Sequence, residues 1–137
     1  MTKSIFAALL LAALGNTTDA FACERIASIA NVKPNGGPVA VAVFTDEASF
    51  RQRPAAAWRL DASAESLRVP LCEVKAEWLA ITVFQDSDAN GRLDTNLVGL
   101  PKEPWGTSGS AGSFGPPTWS TARVRGDSTA VPVVLSR

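Results

Sequence analysis

Little of the chain beyond residue 22 has helical periodicity, whereas short β-branched or alternating runs recur, each closed by turn-forming residues. A run with a period of two can bury only one face, so it needs sheet neighbours and a second layer to cover it. The runs are Arg25 to Val32, Val39 to Thr45, Trp58 to Ala62, Leu67 to Val69, Trp78 to Gln85, Thr121 to Arg125 and Ala130 to Leu135. They predict an all-β, antiparallel β-sandwich of about seven strands. Val39-Ala40-Val41-Ala42-Val43-Phe44-Thr45 is apolar on both faces and reads as a central strand, with Trp58 and Trp78 in or at the edge of the core. Lys33-Pro34-Asn35-Gly36-Gly37-Pro38 has the composition of a hairpin turn, and Gly126-Asp127-Ser128 reads as the tip of a C-terminal hairpin. Pro132 cannot donate to a ladder, which makes the last run an edge strand. Asp46 to Phe50 is compatible with one helical turn before Pro54.

Residues 1–22 have the pattern of an export signal: Lys3, an apolar run from Ile5 to Leu14, then Ala20-Phe21-Ala22. That run is well short of the ~20 residues a spanning helix needs, and no transmembrane segment is expected. Residues 23–137 then form a single domain in the periplasm or outside the cell. Cys23 and Cys72 are the chain's two cysteines, which in an exported protein reads as one disulfide. Closing about fifty residues contributes up to ~4 kcal/mol on the loop-entropy model. The minor alternative is a lipoprotein anchored through Cys23.

Asp86-Ser87-Asp88-Ala89-Asn90-Gly91-Arg92-Leu93-Asp94 places oxygen-bearing side chains at alternate positions before a glycine. A short loop needs that arrangement to wrap a hard cation. Read so, Asp86, Asp88 and Asn90 donate side-chain oxygens, Arg92 its carbonyl, and Asp94 ligates directly or through water. The twelfth position is Leu97 rather than a bidentate glutamate. The loop is therefore not an EF-hand, and calcium would bind weakly, at ~10⁻⁴ to 10⁻³ M. The same residues equally make a metal-free turn, since Asp and Asn cap turns through their own backbone and Asn-Gly favours left-handed conformations.

Between Gln85 and Ser120 strand and helix patterns nearly vanish, but the loop, 86–119, carries Leu93, Leu97, Leu100, Trp105, Phe114 and Trp119. That apolar content is enough to fold it onto the sheet as one long ordered loop. Trp105, Phe114 and Trp119 either line a carbohydrate or peptide groove or anchor the loop to the core. Lys102 and Glu103 read as solvated loop charges.

Composition excludes several functions. The chain has 13 basic and 13 acidic residues, and loss of the leader would remove Lys3 and Asp19, one of each. No basic footprint for nucleic acid exists. It has no histidine, which removes histidine-dependent nucleophiles, imidazole zinc sites and a histidine general base.

The string Val83-Phe84, Asp86-x-Asp88-x-Asn90-Gly91-x-Leu93-Asp94-Thr95-Asn96, Gly99 to Gly106 and Phe114-Gly115-Pro116-Pro117 resembles the bacterial domain of unknown function 2141 family. Gly37 to Phe44 and the closing run also match its pattern. The resemblance implies an exported sandwich similar to transthyretin-like or immunoglobulin-like modules, with no established activity. One departure follows Gly106, where the family's aromatic-Ser-Asn-Asn is Thr107-Ser108-Gly109-Ser110.

The leading expectation is a non-enzymatic exported module whose loop, with or without calcium, offers a surface to an envelope protein or glycan. The rivals are a carboxylate-dependent hydrolase of envelope polymers using Asp86, Asp94 and Glu103, and a carrier of small apolar ligands between the sheets.

Overall fold

The computed structural model describes residues 23–98, 100–110 and 116–136. The signal-like segment and Phe114 lie outside these residues. Strands β1 (Ile26–Ala30), β2 (Val39–Phe44), β3 (Ala56–Leu60), β4 (Leu67–Pro70) and β5 (Trp78–Gln85) match the expected runs, with β3 starting two residues early. After them come β6 (Trp105–Thr107), a short helix α1 (Trp119–Ala122), β7 (Val124–Arg125) and β8 (Ala130–Val134).

The strands make two sheets, ordered β4-β1-β8 and β3-β2-β5-β6, with β7 also on β5. β2 is central, as its two-sided apolar pattern requires, pairing antiparallel with β3 and β5. Inward residues of both sheets, including Ile29, Val41, Leu79, Ile81, Val131 and Leu135, form one cluster closed to solvent. Each such side chain contributes about 1.5–3 kcal/mol of burial. Trp58 packs partly buried against this cluster. A smaller cluster of Phe44, Phe50, Ala80 and Ala122 lies apart from it, with Trp119 packed against it. Cys23 and Cys72 are joined as a disulfide across 49 residues. A sulfur so bonded is not free to carry a lipid.

Four expectations are corrected. Lys33 to Pro38 is a crossover between sheets rather than a hairpin, because β1 and β2 belong to different layers. The buried Gln85 side chain holds it, accepting from the Lys33 amide at 2.9 Å and donating to the carbonyls of Lys33 at 2.7 Å and Gly37 at 3.0 Å. The C-terminal hairpin does not form. Residues 119–122 are helical under a Thr118 cap, β7 pairs with β5, and β8 runs parallel to β1, so the sandwich is not wholly antiparallel. Trp78 fixes β7, with the Arg123 and Arg125 guanidinium groups 4.4 and 5.1 Å from its ring centroid. Residues 46–53 form hydrogen-bonded turns, not a helix. Finally, the long loop is interrupted by β6, whose Trp105 and Thr107 sit opposite Phe84 and Thr82 of β5.

Between β6 and β7 the edge of β5 would be left unpaired. Ser108 fills that gap: its hydroxyl accepts from the Ile81 amide at 2.8 Å and donates to the Ala122 carbonyl at 2.6 Å. Pro132 does lie in an end strand, β8.

Candidate functional site: an acidic clasp beside an apolar groove

β5 ends at Gln85, and the chain turns at once on Asp86, whose side chain is fully closed to solvent. Left-handed backbone at Ala89 (φ 54°) and Gly91 (φ 80°) curls the loop back over it. The Asp86 carboxylate consequently accepts from the Asn90 amide at 3.1 Å and the Gly91 amide at 2.7 Å, with Arg59 Nη1 at 3.5 Å. Asn90 Oδ1 takes the Arg92 amide at 2.9 Å, and its Nδ2 donates to Asp94 Oδ1 at 2.8 Å. These are the local backbone-capping bonds expected of an Asx-rich turn.

Glu103 completes the structure. Expected to be a solvated charge, it is buried, and its two oxygens accept the amides of Ser87 and Asp94 at 2.8 Å, the first still closer. It clasps the loop from the far side because two otherwise unpaired amides converge on it. Lys102 beside it is exposed, as expected.

Of the expected cation ligands, Asp86 and Asp88 come together with Glu103, their oxygens within 4.8 Å of one another. Two oxygens on opposite sides of a calcium ion at ~2.4 Å are also ~4.8 Å apart. Three carboxylates so placed could hold a metal ion. Asn90 is tied to Asp94, and Asp94 in turn to Asp88. Charge within the clasp is uneven. The hydrogen bond to Asp94, together with burial, pushes the Asp88 carboxyl above its ordinary value. Asn90, then Asp88, hold Asp94 low. For Asp86 burial is the largest influence and acts upward, but the Gly91 amide, Asp88, the Asn90 amide and Arg59 together outweigh it.

Beyond the clasp the Lys102 amide donates to the Asp94 carbonyl and the Asn96 amide to the Leu100 carbonyl, both at 2.8 Å. Thr95 bridges to Pro101, and the Asn96 side chain accepts the amides of Val98 at 3.0 Å and Leu100 at 2.9 Å. Beside this segment lies a groove of about 460 Å³. Phe44, Thr82, Phe84, Trp105 and Thr107 line it from the sheet; Leu93, Val98, Leu100, Pro116, Pro117 and Arg51 contribute from the loops. Sizes of this order and a mostly apolar lining are usual for small-molecule sites.

The tryptophans of the loop thus take different roles. Trp105 lines the groove, while Trp119 packs edge-on against Phe50, ring centroids 5.9 Å apart, as an anchor. The inter-sheet space expected of a carrier is filled by the core, and the groove lies elsewhere, under the loop. Arg59 and Arg51 carried no sequence signal as site residues, and Glu103 carried one only for hydrolysis, because each acts on segments remote in the chain or on the sheet. None of Asp86, Asp94 and Glu103 lines the groove.

A family profile described as "Uncharacterized protein conserved in bacteria (DUF2141)" matches residues 27–133. The chain belongs to that family. The match spans every strand but the ends of β1 and β8 and covers both clasp and groove, so the two features lie on the DUF2141 domain itself. No curated protein and no solved structure matches the chain. Thr107, directly after Gly106, lines the groove. No helix among the described residues is long and apolar enough to cross a membrane.

Proposed function

We propose that this DUF2141 chain is a non-enzymatic, exported binding module that holds a small, largely apolar ligand in the groove beneath its long loop. The observation that carries this reading is the groove of about 460 Å³ floored by Phe84 and Trp105. The periplasm or the cell exterior suits the disulfide between Cys23 and Cys72. The acidic clasp is the device that keeps the loop in shape, and a calcium ion held by Asp86, Asp88 and Glu103 would tighten it without taking part in chemistry.

This reading moves the carrier hypothesis from the core to the sheet surface. A hydrolase draws no support from the geometry: Asp86 and Glu103 spend their oxygens on loop amides instead of facing one another across a cleft. A glycan platform draws little, since Trp119 is engaged with Phe50. An envelope protein as partner is favoured only by the projecting Leu97.

Titration with the neutral dye N-phenyl-1-naphthylamine tests the reading. Saturable one-to-one binding, with energy transfer from tryptophan and loss of binding in Trp105→Ala, is expected. Absence of saturable binding to the folded chain overturns it.

A further inference from the structure

The groove has a chemical asymmetry that narrows its ligand. Part of its apolar wall is exposed: Val98 and Leu100 line it while 77% and 56% exposed. Exposed apolar side chains on a concave wall are what an apolar body would cover. Among the described residues, Arg51 is the one charged residue lining the groove. It makes no ion pair among the described residues, and it is held in left-handed backbone at φ 62°, a conformation that costs a non-glycine residue energy. Thr107, 9% exposed, also lines the groove, and its hydroxyl has no hydrogen-bond partner among the described residues. A buried hydroxyl normally has one.

Resting on the reading of the groove as a ligand site, we propose that its occupant is an amphipathic anion, an extended apolar body with a single carboxylate head that pairs with Arg51. A cationic amphiphile would be repelled by that guanidinium. A neutral one would cover it without compensation, leaving a charge partly desolvated and unpaired. A carboxylate supplies the countercharge and accepts the planar fork of donors. The clasp acids do not oppose this, because they lie outside the lining and are engaged by loop amides and by Arg59.

The experiment compares decanoate, decanol and decyltrimethylammonium, each below its micellar concentration, by tryptophan fluorescence and calorimetry on the full chain. Decanoate is expected to bind at least about tenfold more tightly than decanol, the increment of one charge-assisted hydrogen bond, with decyltrimethylammonium weakest. Arg51→Gln should abolish the preference for decanoate over decanol, while Arg51→Lys should keep part of it. Equal binding of decanoate and decanol, or a preference that survives Arg51→Gln, overturns the anion assignment and leaves the groove reading standing. Failure of all three amphiphiles to bind overturns both.

Discussion

The Glu103 carboxylate accepts the Asp94 amide at 2.8 Å and, through its other oxygen, the amide of Ser87, so one side chain closes the acidic loop at both ends. A hydrogen bond to a charged group contributes about 1.5–3 kcal/mol. Glu103→Ala should therefore lower the melting temperature by several degrees. Amide exchange at Ser87 and Asp94 should rise in step, and unchanged protection there would refute the clasp. Glu103→Gln keeps one carbonyl oxygen and should fall between.

Calcium should stabilise the chain modestly. At a site of ~1 mM affinity, 10 mM calcium contributes ~1.4 kcal/mol, a shift of several degrees in the melting temperature. Magnesium, which demands a tighter octahedral shell, should do less. In Asp88→Ala the calcium effect should vanish. Melts identical in calcium and in chelator would leave the loop as a metal-free turn.

Acid should unfold the protein through particular carboxylates. Asp46 is lowered chiefly by the Ser49 amide, which it accepts at 2.8 Å, and Asp86 and Asp94 are also lowered. Their stabilising contributions are complete above the ordinary value of 3.8 and are lost as pH falls through the lower folded values. Asp88 has the opposite sign. Its raised folded value means a contribution present below 3.8 and lost as pH rises through the folded value. With three groups against one, stability should decline on acidification below about 4. Carboxyl carbon chemical shifts followed against pH should show Asp88 titrating above Asp86 and Asp94; the reverse order would contradict the hydrogen bonding described.

Gly37 supports the same corner from the other side. It has φ +104°, and a Cβ there would stand 2.2 Å from the Asp86 carbonyl oxygen. Gly37→Ala combines unfavourable backbone with a clash against main chain, and should cost about 1–3 kcal/mol or more. Chemical denaturation checks this. A neutral result would mean that the crossover and the acidic loop are not in backbone contact.

The strands are legible where burial is local in origin. β2 and β5 are long, apolar and bounded by turn residues, and both stand where their patterns put them. The acidic loop is legible as a turn because Asp and Asn act on amides within five residues. Glu103, Ser108 and Gln85 are not, because their partners are 9 to 52 residues away and their residue types are common on surfaces.

The alternation of valine, alanine and isoleucine is enough to dictate sheets, and the even, histidine-free composition narrows the chemistry, because both depend on residue type and short spacing alone. The order of strands within the layers is a different matter. Gly126-Asp127-Ser128 would serve a hairpin as well as a crossover, and the choice follows from which inner face still lacks cover once β1 has paired with β4 and β2 with β3 and β5. β8 covers that gap with Val131 and Val133, and Leu135 just beyond it does the same. The groove has the same origin. Arg51, Thr107 and Val98 come from three separate segments, and only packing of the whole chain puts them around one volume.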